Sequence, residues 1–205
     1  MDRLIAGYKR FRQTRWPKMQ STFERLAEGQ SPRMLVIACS DSRVDPSSIF
    51  DVEPGELFII RNVANLAPPF APSPGLHGVS AALEFAVKEL KVRTVLVLGH
   101  ARCGGVKAAL NGVARVDSPF LADWVSLLGE AASKVAHTHG PDEACSALEL
   151  ESIRVSLANL RTFPFVQAGL DAGTLELVGA RFDIADGSLS VLDPELGVFH
   201  DIGVG

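Results

Sequence analysis

Two short segments hold most of the chemically capable side chains of this sequence: Ala38-Cys39-Ser40-Asp41-Ser42-Arg43 and Gly99-His100-Ala101-Arg102-Cys103-Gly104-Gly105. Two thiols and an imidazole are the donor types of a zinc site. Soft sulfur favours zinc over magnesium or calcium. Two thiolates and a neutral histidine also balance the charge of one Zn²⁺ per chain. Three ligands leave a fourth tetrahedral position for water or a carboxylate, the pattern of a catalytic centre, whereas four fixed Cys or His ligands would be structural. His100 and Cys103 share one turn, and Cys39 must come across from a neighbouring segment.

Thiolates donate more charge than imidazoles, so a water on this ion is less acidic than on an all-histidine site and needs help. Asp41 can accept a hydrogen bond from that water, or itself take the fourth position on the metal. Arg43 can hold the Asp41 carboxylate in a bidentate fork. The expectation is that Asp41 is both gate and proton acceptor, and that Arg43 keeps the gate open. Gly104 and Gly105 follow where a helix should begin, leaving the backbone close to the metal and N–H groups free for an anion. No Lys-Ser or Lys-Thr follows Gly104 and no G-x-G-x-x-G occurs, which excludes a phosphate loop.

Both segments follow apolar runs. Met34 to Ala38, Leu57 to Ile60 and Thr94 to Leu98 read as strands buried on both faces of a parallel sheet. Leu76, Val79, Leu83, Ala86 and Leu90 keep helical spacing between the second and third, so the order is strand, helix, strand, with a parallel crossover. Ligands of such sheets bind beyond the carboxyl ends of the strands, where both segments fall. Ser118-Pro119 starts a helix with Leu121, Trp124, Val125 and Leu128 on one face. Leu150, Ile153, Leu157 and Leu160 make another stripe, stopped at Pro164. Leu175 to Val178 opens a further strand, and Asp186-Gly187 marks a hairpin. The expected fold is α/β: a central, mostly parallel sheet with an antiparallel edge strand, flanked by helices. At the N-terminus, Leu4, Tyr8 and Phe11 form one helical stripe; Met19, Phe23 and Leu26 form a second after a break at Pro17. Residues 1–30 are thus assigned to a helical arm and 31–205 to a single catalytic domain.

The 205 residues carry a net charge of -4 with both signs mixed, and no basic block that would suit nucleic acid. Three cysteines are too few and too odd in number for a disulfide framework, which fits a reducing compartment, so the cytoplasm is expected. The basic stretch before Pro17 lacks the apolar core of a secretory signal, and no apolar run is long enough to span a membrane. Cys145 reads as a free buried thiol, His137 and His139 as a solvated helix end, and Ala67 to Pro74 as a stiff, proline-rich loop.

The motifs C-S-D-S-R at Cys39–Arg43, P-G-E-L-F-I-I-R-N-V-A-N at Pro54–Asn65 and G-H-x-x-C-G-G at Gly99–Gly105 resemble those of the β-class carbonic anhydrases. That resemblance implies a zinc lyase that hydrates carbon dioxide reversibly to bicarbonate and a proton by zinc-bound hydroxide. It implies four parallel strands with an antiparallel fifth, and a homodimer or dimer-based oligomer whose N-terminal arms embrace the partner. Gly29-Gln30-Ser31-Pro32 is similar to the plant-type branch, in which a glutamine donates its amide to substrate. Phe58, Val63 and Phe85 match that branch's apolar pocket. Val36 stands where the other branch has a tryptophan of an inhibitory bicarbonate site, so no such site is expected. The alternatives are a hydrolase of carbonyl sulfide or carbon disulfide on the same fold, and a non-catalytic zinc domain for sensing or assembly.

Overall fold

The computed structural model describes residues 1–72 and 76–203, with only the backbone of Pro141 and Asp142. Its core is a six-stranded sheet in the order β2-β1-β3-β4-β5-β6. The parallel part comprises β1 (Met34–Cys39), β2 (Leu57–Asn62), β3 (Thr94–His100) and β4 (Glu176–Phe182). β5 (Leu189–Leu192) returns antiparallel after the turn at Gly187 (φ +77°), as the Asp186-Gly187 pair predicts. β6 (Phe199–Asp201) adds a second antiparallel strand beyond the one expected. Its three residues are too short a run to show a strand period.

The two inner strands of the parallel part, β1 and β3, are almost wholly buried, because helices cover both faces of the sheet. Register sets the site. Cys39 pairs with Asn62 on one side, and Ala38 with Leu98 on the other. Cys39 therefore lies level with Gly99, one residue short of His100.

The other helices are α3 (Pro46–Ile49), α4 (Gly78–Glu84), α5 (Gly104–Asn111), α6 (Pro119–Val125), α7 (Gly129–Thr138), α8 (Pro141–Arg161) and α9 (Pro164–Asp171). Helix α4 runs on through a wide π-type turn at Phe85–Glu89. Leu83 and Ala86 of the predicted stripe are buried, but Leu76 lies outside the helix and is fully exposed. Helix α8 buries Leu148, Ile153 and Leu160, while Leu150 and Leu157 are only partly covered. It lies close on the sheet because β3 and β4 carry glycine beneath it. A Cβ on Gly99 would stand 2.8 Å from Ile153 Cδ1, and one on Gly179 2.7 Å from Ile153 Cγ2.

At the N-terminus, α1 (Asp2–Arg10) and α2 (Trp16–Ala27) are joined by a wide turn over Phe11–Arg15, and neither helix buries a residue. The break expected at Pro17 does not occur. Pro17 sits in the first turn of α2, where a missing N–H costs nothing, and the π-type winding before it takes up the irregularity. Of the proline-rich loop, residues 73–75 lie outside the described residues. Phe70 is tied down by its backbone N–H, which donates to Thr162 Oγ1 at 2.7 Å.

Candidate metal centre

The carboxyl ends of β1 and β3 bring Cys39, His100 and Cys103 together, all three buried, with their donor atoms within 4.8 Å of one another. The two sulfurs are 3.8 Å apart. Zinc–sulfur bonds of ~2.3 Å in a tetrahedron would set two sulfurs about 3.8 Å apart. His100 Nδ1 donates to the Ala101 carbonyl at 2.8 Å, which leaves the lone pair on Nε2. That Nε2 is buried and, among the described residues, has no hydrogen-bond partner. A buried polar atom left unpaired is costly, and a cation in the triangle would satisfy it. The residues fit a zinc ion.

Of the two thiols, Cys39 leans toward the thiolate. The hydrogen bond from Cys103 holds the Cys39 thiol well below its ordinary range, and the same bond, with burial, pushes the Cys103 thiol up.

Asp41 lies just outside the triangle, its Oδ2 3.9 Å from His100 Nε2. Arg43 forks onto it, with Nε donating to Oδ1 at 2.9 Å and Nη2 to Oδ2 at 2.6 Å, while the Arg43 backbone N–H donates to Oδ1 at 3.0 Å. These bonds hold the Asp41 carboxyl far below the usual carboxylate range. Arg43 Nη2 also donates to the Arg102 carbonyl at 3.1 Å, linking the two ligand-bearing segments.

Three groups around the site were not legible as such. Arg61, beside Ala38 in the sheet, donates to the carbonyls of Cys39 (3.0 Å), Asp41 (2.7 Å) and Val44, stapling the first segment. Glu149 of α8, 2% exposed, receives the backbone N–H groups of Arg102 and Cys103 and pairs with Arg181. Trp124 Nε1 donates to the Val63 carbonyl at 2.8 Å. The available signal was a glutamate on the buried face of α8, at helical spacing with Ser152, Ile153 and Ser156.

Val63 and Gly104 stand next to the triangle. Val63 directly follows β2, and a Cβ on Gly105 would stand 2.5 Å from Val63 Cγ1. Gly104 opens α5 with free space where a side chain would be. Gln30, Phe58 and Phe85 are placed elsewhere. Gln30 precedes the amino end of β1, in a shallow pocket with Phe23, Leu26 and Gly55. Phe58 pairs with Leu35, four residues from the Cys39 level, and its ring lies 5.9 Å from that of Phe85, which is 45% exposed. Within one chain these three do not line the site. His137 and His139, both exposed, and Cys145 also stay apart from the triangle, as expected, but Cys145 is only partly buried where a buried thiol was expected.

The sheet thus sets a buried sulfur–imidazole triangle fit for zinc beside an acid–arginine fork, an arrangement suited to a metal-dependent enzyme of α/β architecture. A family model described as carbonic anhydrase matches residues 34–189. A carbonic anhydrase of Pseudomonas aeruginosa is 40% identical over 195 residues, covering 94% of this chain and 88% of that protein. The solved β-carbonic anhydrase CcaA superposes with a TM-score of 0.92 at 35% identity, covering 99% of this chain and 92% of the other. Tetrameric β-carbonic anhydrases of Sordaria macrospora give a TM-score of 0.69 at 28% identity, covering 100% of this chain and 94% of theirs. The chain belongs to the β-carbonic anhydrase family. It is a zinc enzyme that interconverts carbon dioxide and bicarbonate.

Proposed function

We propose a division of labour among the residues for this reaction. Cys39, His100 and Cys103 hold the metal. Zinc, when bound, makes a water acidic enough to react at neutral pH. Asp41 accepts a hydrogen bond from that water through a carboxylate oxygen and orients it; because the Arg43 fork disfavours the protonated acid, Asp41 passes the proton onward instead of keeping it. Arg43 keeps Asp41 off the fourth position; with the fork broken, Asp41 swings in and closes the site. Val63 gives the apolar wall that carbon dioxide needs, since it has no strong hydrogen-bond handle. The backbone N–H groups at Gly104 face the anion that forms. The observation that carries this reading is the intact Asp41–Arg43 fork beside a buried, unpartnered His100 Nε2. A purely structural zinc site has no use for it.

Gln30, Phe58 and Phe85 serve the pocket only if a second copy brings its metal triangle to them. The chain therefore works as a homodimer, or as an oligomer built from dimers. The exposed apolar residues Leu4, Ile5 and Tyr8 on the arm support this, as does the tetrameric state of the Sordaria relatives. Val36 of β1 stands where the other branch carries a tryptophan, which favours the plant-type branch and no inhibitory bicarbonate site. The helical arm is residues 1–30 and the catalytic domain 31–205. Among the described residues no helix is long and apolar enough to cross a membrane. The free thiols Cys39 and Cys103 must stay reduced to bind metal, which suits the cytoplasm. The test is stopped-flow hydration of carbon dioxide with a zinc count per chain, on wild type and Asp41→Ala. Wild type should hold one zinc and hydrate; Asp41→Ala should hold zinc and hydrate poorly. A fully metallated wild type without hydration overturns the proposal.

A further inference from the structure

We infer that Glu149, backed by Arg181, is a positioning residue for the metal: it fixes the turn that carries His100 and Cys103. The inference rests on the zinc reading of the triangle and concerns residues outside it.

The turn is under constraint. Arg102 lies in the left-handed region at φ +57°, which a side-chain-bearing residue rarely adopts without support. That conformation folds Cys103 back toward His100 within three residues. Each peptide of the turn is held from outside. The Ala101 N–H donates to the Phe182 carbonyl of β4 at 2.9 Å. The Arg102 N–H donates to Glu149 Oε1 at 2.6 Å, and the Cys103 N–H reaches the same oxygen at 3.3 Å. Among the described residues no other group engages these two N–H donors.

Glu149 is built for this task. It is a buried carboxylate on a helix that otherwise packs through Ile153 and Leu160. Its second oxygen, Oε2, accepts from Arg181 Nε at 3.2 Å and Nη2 at 2.9 Å. Arg181 sits on β4 directly opposite Gly99, so the sheet register places the counter-charge. Arg181 Nη1 leans on Asp183 at 3.4 Å, which fixes the guanidinium from its other side. One oxygen of Glu149 thus serves the ligand turn and the other is locked to the strand that flanks it. Outer partners that orient metal ligands typically change metal affinity by about 10–100-fold when removed.

The test uses the zinc-loaded, full-length enzyme. Glu149→Gln keeps the size and can still accept the two peptide N–H bonds, but it sets an amide NH₂ against the Arg181 donors. Zinc release into excess chelator is followed with a metal indicator, and the visible spectrum of the cobalt-substituted protein reports ligand geometry. Glu149→Gln should release zinc about 10-fold faster or more and shift the cobalt bands. Leu160→Ala, at the far end of the same helix, lowers the melting temperature but should leave release rate and spectrum as in wild type. Arg181→Lys keeps the charge and loses the fork, and should give a smaller acceleration. It carries the test alone if Glu149→Gln cannot be folded. Wild-type release and spectrum in Glu149→Gln, or in Arg181→Lys if that stands alone, overturn the inference. So does Leu160→Ala releasing zinc as fast as Glu149→Gln, since stability would then explain everything. A wild type that holds no zinc overturns the metal reading itself, and this inference with it.

Discussion

The floor of the site and its outer wall are built to different degrees of completion. At the floor, the triangle is buried, Asp41 is forked by Arg43, and the Arg102 and Cys103 N–H groups have acceptors. At the wall, Phe85 is half exposed, Gln30 faces a shallow pocket, and the arm leaves Leu4 and Tyr8 in solvent. The difference teaches that one chain assembles its own metal grip, while the residues matched to the substrate pocket stay away from it; on the proposed reading a second copy completes the wall. Metal loading and catalysis should therefore respond to different perturbations.

The largest effect comes from breaking the floor. Cys39→Ser should lose zinc and lower kcat/KM by roughly a thousandfold or more, measured by metal analysis and stopped-flow hydration. Asp41→Asn should retain zinc and lower kcat/KM by about 10²–10⁴-fold, as expected for loss of a positioned proton acceptor. Arg43→Ala should retain zinc but lose about tenfold or more, because the released Asp41 competes for the fourth position; wild-type activity there would end the gate idea. The wall is tested by Tyr8→Glu with Phe85→Ala. This double variant should sediment as a smaller species and hydrate about tenfold more slowly, with zinc content unchanged. Asp45→Ala removes the acceptor of the Ser48 N–H and hydroxyl at the start of α3, and should cost only about 0.5–2 kcal/mol in denaturant unfolding, with activity intact.

The floor was legible in the sequence because its parts are contiguous: each ligand segment is the end of an apolar run, and strand register does the rest. The parallel order followed from the same runs. The supporting charges were not legible. Glu149 and Arg181 look like surface residues until the packing places them opposite each other, and Arg61 reads as an ordinary strand-end cation. Leu76 and Pro17 misled for local reasons: an apolar side chain can lie just outside a helix, and a proline can open one. The wall residues matched a family pattern, yet no period in the sequence says which copy they serve.

Gly99 and Gly179 have a mechanical meaning. Each lacks the one carbon that would strike Ile153, so helix α8 rests on the bare backbone of two neighbouring strands. Glu149 sits one turn further along that same rigid rod. A methyl at either glycine would act as a shim, lifting the rod and drawing the carboxylate away from the cysteine turn. Two hydrogen atoms therefore set the gauge between helix and sheet, and through it the tolerance of a bond network that begins four residues away.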